Sequence, residues 1–107
     1  MNRLNRAQLQ ALVDEATVDA HDQDEQVMGL HTMIEDNLAL PFETTVLGVG
    51  VTVDSVDLND RGDIVAFCSR DRLQQSIPLL DLPLPSPPPQ GAEWIEAYRH
   101  WASPASD

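Results

Sequence analysis

The chain has 107 residues, 18 of them acidic and 6 basic, for a formal net charge of -12, which fits a single domain with one modest core. The excess lies between Ala7 and Asp60, where twelve acids meet no Lys or Arg; such a surface repels nucleic-acid phosphates and anionic lipid and favours cations or a basic protein face. The lone Cys68 allows no internal disulfide, no apolar run approaches the roughly 18 residues of a membrane span, and the N-terminus lacks the apolar core of a signal peptide, so a soluble cytoplasmic protein with no membrane and no nucleic-acid partner is expected.

Leu4, Leu9, Leu12, Val13 and Ala16 recur at helical spacing and predict a first helix over residues 2–18 with a thin apolar face. Its charges run against the helix dipole, with Arg3 and Arg6 near the start and Asp14 and Glu15 near the end. After a polar stretch from Asp19, either Asp22 or Asp24 can cap a second helix. Val27, Leu30, Ile34 and Leu38 form its inner stripe, with His31 beside them, and Asp22, Glu25, Gly29, Thr32 and Asp36 form the opposite one. Gly29 costs about 1 kcal/mol relative to Ala inside a helix, which points to close approach by another backbone, the alternative being an indifferent surface site. Pro41 disfavours helical geometry at Leu40 and is expected to end the helix there.

Beyond Phe42 the period changes from 3.6 to 2. Short antiparallel strands are predicted over residues 43–47, 49–58, 63–69 and 72–77, with a stub at 79–82, separated by the turns Asn59-Asp60-Arg61-Gly62 and Ser69-Arg70-Asp71-Arg72. So small a sheet has to hide its edges, and a small SH3-like barrel is the expected form. Residues 83–90 read as a Pro-rich strap of extended polyproline. Residues 91–102 resume helical spacing with Trp94, Ile95, Tyr98 and Trp101 on one side, a helix expected to dock on the barrel. The fold class is therefore α+β. Residues 1–107 form one domain: an acidic helical part (1–42), a small β-barrel (43–82), the strap (83–90) and a C-terminal helix (91–102).

Three constellations could carry chemistry. The turn from Asp57 to Cys68 begins like an EF-hand loop, but Arg61 takes a ligand position and Cys68 stands where a bidentate Glu is required, so it reads as a polar hairpin turn. His21, His31, His100 and Cys68 show no zinc or nucleophile spacing, and no catalytic residue is assigned. The acidic second helix supplies hard oxygen donors of the kind calcium takes. At its entrance Asp22, Asp24 and Glu25 are explained by capping; at its exit Glu35 and Asp36 oppose the dipole, and a cation is the simple compensation. The plain alternative is a solvated acidic face that keeps the protein soluble.

The runs Val18-Asp19-Ala20, Glu25-Gln26-Val27-Met28-Gly29, Ile34-Glu35-Asp36-Asn37-Leu38 and Pro41-Phe42 resemble the cyanobacterial calcium-binding protein family, small acidic bacterial proteins. More loosely, Ile77-Pro78-Leu79-Leu80-Asp81-Leu82, Trp94 and Trp101 fit the same pattern. The resemblance implies calcium binding on an SH3-like barrel with N-terminal helices. It carries over Asp19, Glu25, Glu35 and Asp36, with Asn37 beside them. The sequence departs from the family after Gly29, with Leu30, His31, Thr32 and Met33 where aromatics are usual.

The expected metal set is Glu35, Asp36, Asp19, Glu25, Asp22 and Asp24, and the expected ligand is Ca²⁺. With no twelve-residue loop, affinity is expected on the order of 10⁻⁵ to 10⁻³ M. Two sites are conceivable, since the two ends of the helix lie about 15 to 20 Å apart. The competing class is a protein-interaction module working through the acidic helix, or through Pro83 to Pro89 with Trp94 and Trp101.

Overall fold

The computed structural model describes residues 4–103. Its first element, α1 (Arg6–Ala16), starts from a capping box in which Asn5 Oδ1 accepts from the Gln8 amide and Gln8 Oε1 accepts from the Asn5 amide. The predicted residues 2 and 3 lie outside the described part. Val13 is the buried residue of α1, in keeping with a thin apolar face.

The second helix, α2 (Gln23–Asn37), is capped by Asp22 and buries Val27, Leu30 and Ile34, with Leu38 buried at its end. That is the predicted stripe. A Cβ on Gly29 would overlap the Ala16 carbonyl oxygen, so α2 meets the C-terminus of α1 in backbone contact, as its glycine implied. The end of α2 differs from expectation. The helix stops at Asn37 rather than Leu40, because Leu38 is extended and the Ala39 amide leaves the helix to bond the Gln90 carbonyl at 2.8 Å. Gly91, at φ 89°, packs so tightly on Asn37 that a Cβ there would overlap its carbonyl. A contact from far along the chain thus ends the helix before Pro41 can.

Four strands follow: β1 (Phe42–Val46), β2 (Val49–Leu58), β3 (Ile64–Arg70) and β4 (Leu73–Pro78). They pair antiparallel in the order β1-β2-β3-β4, within a residue or so of the predicted boundaries. The sheet is open, with β1 and β4 at its edges, and the expected barrel is not closed by strand pairing. In β2 the inward positions pass from Val53 to Val56 because the register slips around Asp54, a bulge that alternation alone does not reveal.

The predicted stub at 79–82 is instead a 3₁₀ turn (Leu79–Asp81). Pro78 has no N–H to extend a ladder, and a three-residue repeat buries Leu79 and Leu82 while leaving Leu80 exposed. Residues 83–89 form neither helix nor strand, and Thr44 Oγ1 donates to the Pro83 carbonyl at 2.7 Å.

The last helix, α3 (Glu93–Ala102), buries Trp94, Ile95, Ala97 and Tyr98. It packs mainly against α1 and α2 rather than on the sheet. Trp101 Nε1 donates to Gln26 Oε1 at 2.8 Å, and His100 Nε2 lies 3.0 Å from Gln10 Oε1. Its tie to the sheet is the Tyr98 hydroxyl, which accepts from the Ile64 amide at 3.4 Å. One core joins α2, the inner face of the sheet, the 3₁₀ turn and α3. No helix among the described residues is long and apolar enough to cross a membrane.

Candidate metal centre

The acids at the entrance of α2 are drawn into local structure. Asp22 Oδ1 accepts from the Glu25 amide at 2.9 Å, and Glu25 Oε1 accepts from the His21 amide at 2.6 Å. Asp22 therefore satisfies an N–H group that the helix leaves without a partner, and Glu25 ties the residue before the cap to the first turn. Asp19 is exposed in the turn between α1 and α2. Asp24 is exposed too, and its Oδ1 lies 4.0 Å from where a Cβ on Gly62 would stand. That contact places the acidic β2–β3 turn, with Asp60 and Asp63, beside the entrance of α2. Sequence reasoning took the turn by itself and missed this neighbour; no local signal carries it.

Within that turn Asn59 Oδ1 accepts from the Arg61 amide at 2.9 Å and from the Asp63 amide at 3.0 Å. The oxygen that an EF-hand loop would turn on a metal holds the hairpin together, as the rejected motif implied.

At the exit of α2, Glu35 and Asp36 are exposed and the last turn holds no basic residue. Glu35 Oε2 stands 3.9 Å from His31 Nε2, an atom buried without a hydrogen-bond partner. Since the Ala39 amide bonds Gln90, the Glu35 carbonyl lacks its usual helical donor. Asn37 Nδ2 donates to the Met33 carbonyl, and its Oδ1 remains an acceptor. Two carboxylates, an amide oxygen and a helix-end carbonyl thus occupy consecutive residues at the negative end of a helix dipole.

The chemistry of these donors fits a hard cation, which takes oxygen from carboxylates, carbonyls and water without a fixed geometry. Among the described residues, no three His, Cys, Asp or Glu side chains converge as a group that could hold a metal. The six predicted residues are therefore not gathered into one cage. Backbone oxygens and water would have to complete any coordination, which is the arrangement of a weak site.

The remaining candidates sit elsewhere. Cys68 is buried on β3, where burial first and the nearby Asp54 carboxylate second push its thiol pKa up. Tyr98 is raised by burial, an effect opposed by its hydrogen bond with the Ile64 amide and reinforced by Asp63. Trp94 and Tyr98 are 5% and 3% exposed and belong to the core, while Trp101 is partly buried against it.

No protein-family model matches the chain, and no curated protein matches its sequence. Among solved structures, the crystal structure of Anabaena CcbP is similar with a TM-score of 0.71 and 19% identity, over 94% of this chain and 94% of that one. A calcium-binding protein in its calcium-binding form is similar with a TM-score of 0.66 and 20% identity, over 94% of this chain and 92% of that one. At such identities the likeness establishes the fold, and the resemblance read from the α2 motif is met at that level across nearly the whole chain.

Proposed function

We propose that this protein binds calcium through surface carboxylates and acts by binding alone, as an intracellular calcium buffer or low-affinity sensor. The observation that carries the reading is the likeness, over 94% of the chain, to a calcium-binding protein in its calcium-binding form. The twelve acids of residues 7–60, a stretch without Lys or Arg, support it independently. A cytoplasmic location accords with the single reduced Cys68. The open sheet with residues 83–90 laid toward β1 is read as a variant of the SH3-like plan.

The stronger bet for the metal is the exit of α2. Glu35 and Asp36 would supply the carboxylates, with the Asn37 side chain and the Glu35 carbonyl as neutral oxygens. Asp19, Asp22, Asp24 and Glu25 form a second acidic face at the entrance, where Asp22 already caps the helix and Glu25 already accepts from the His21 amide. Calcium bound at either place would screen like charges and cancel the dipole at the exit.

The test is a pair of double variants titrated with calcium. E35Q/D36N is expected to weaken binding by about tenfold or more, the effect of losing two charged ligands from a loose site. D24N/E25Q is expected to weaken it less. Equal losses would overturn the assignment to the exit while leaving calcium binding in place.

A further inference from the structure

The strand order leaves two edges, and they are not equivalent. β1 is approached by the Pro-rich segment, through the hydrogen bond from Thr44 to the Pro83 carbonyl. Among the described residues, β4 makes no hydrogen bond to any segment other than β3. Leu73, Gln74, Gln75, Ser76 and Pro78 are all exposed, Leu73 at 74%. Soluble proteins usually protect a strand edge with charge, a bulge or a covering loop. The six residues of β4 carry no charge, and its pairing with β3 runs without a register slip. The strand also lies outside the acidic half of the chain: residues 61–107 hold four arginines against six acids.

We propose that β4 pairs antiparallel with β4 of a second copy of this chain, across a twofold axis at Gln75, where that residue meets its own copy. Charge complementarity selects that partner and that direction. Arg70-Asp71-Arg72 precedes the strand and Asp81 follows it, all of them exposed. Antiparallel pairing brings the arginine-bearing end of each copy toward Asp81 of the other. Parallel pairing would set arginine against arginine and Asp81 against Asp81.

In this register Gln74 faces Ser76 and Leu73 faces Ile77 of the second copy, so the exposed leucine gains an apolar neighbour. The contact is isologous and closes at two copies. Pro78 lacks the N–H that would lengthen the ladder, and β1, on the far side of each sheet, lies next to the Pro-rich segment.

Sedimentation velocity of the full chain over a concentration series up to millimolar tests the proposal, with hydrogen exchange reading the β4 amides. A concentration-dependent dimer with added protection in β4 is expected. Two charge pairs form per dimer, so R72E and D81R should each weaken it by about tenfold, and the R72E/D81R double variant should restore it. Q75K, which sets lysines together at the seam, should abolish it. A monomer at every concentration overturns the proposal, as does a dimer indifferent to Q75K and to the charge reversals. Calcium affinity is read separately, so either result leaves the metal reading to its own test.

Discussion

Leu47 holds a φ of 51° beside Gly48 at 77°, at the tip of the β1–β2 hairpin, and is 97% exposed. A leucine pays about 1 kcal/mol or more in that left-handed conformation and has nothing to pack against in return. Asn tolerates it, and Asn-Gly is the preferred pair for a two-residue hairpin turn. L47N should therefore stabilise the protein by about 0.5 to 1 kcal/mol, read as a higher urea midpoint at unchanged slope. Gly29 predicts the opposite sign. G29A drives a methyl into the Ala16 carbonyl, where two backbones must separate, and should cost about 1 to 3 kcal/mol although Ala is the better helix former.

Cys68 and Tyr98 set the alkaline limit of the same stability. Both have pKa values raised in the folded state, first by burial. An acid whose folded pKa is raised contributes stability that is complete below its unfolded pKa and is lost as pH rises toward the folded one. Stability should hold up to about pH 8.5, then fall as the Cys68 thiol ionises more readily in the unfolded chain, and fall again above about pH 10 for Tyr98. Urea unfolding across that range checks the sign. C68A should remove the first decline and leave the second.

At the scale of elements, the joint between α2 and α3 is the contact on which the rest depends. Gly91 is the residue that permits it, through its positive φ and its lack of a side chain against Asn37. G91A should destabilise by about 2 kcal/mol or more, since strain and overlap act together. It should also free the Ala39 amide from Gln90, visible as faster hydrogen exchange at Ala39.

This joint also marks the limit of what the sequence makes legible. The α2 stripe of Val27, Leu30, Ile34 and Leu38, the β strands and the tight approach at Gly29 follow from period and residue type. The stop at Asn37 does not, because its cause is Gln90 and Gly91, some fifty positions away. The 3₁₀ turn at Leu79 was hidden by an apolar run that suits a strand as well, and only burial of both Leu79 and Leu82 tells them apart. At the candidate metal centre, the capping role of Asp22 could be read from position. Whether carboxylates meet could not, since that depends on how α2 lies against the β2–β3 turn.

Across the whole molecule, the arrangement is an acidic helical face laid over an open sheet. The twelve acids of residues 7–60, a stretch without Lys or Arg, repel one another, and that repulsion is a standing cost to the folded state. A ligand that binds the folded chain alone raises stability by about 2.7 kcal/mol at a hundredfold excess over its dissociation constant. Calcium should accordingly raise the melting temperature, and by more than an equal ionic strength of sodium chloride, which only screens.

The most direct measurement is a calorimetric titration of the full chain with calcium, repeated with magnesium. Calcium binding at the acidic helix predicts a saturable heat with a dissociation constant on the order of 10⁻⁵ to 10⁻³ M, and weaker binding of magnesium, which demands a tighter octahedral cage than these exposed carboxylates offer. No heat at millimolar calcium, with no change in melting temperature, would contradict it and leave the acidic face as a solvated surface.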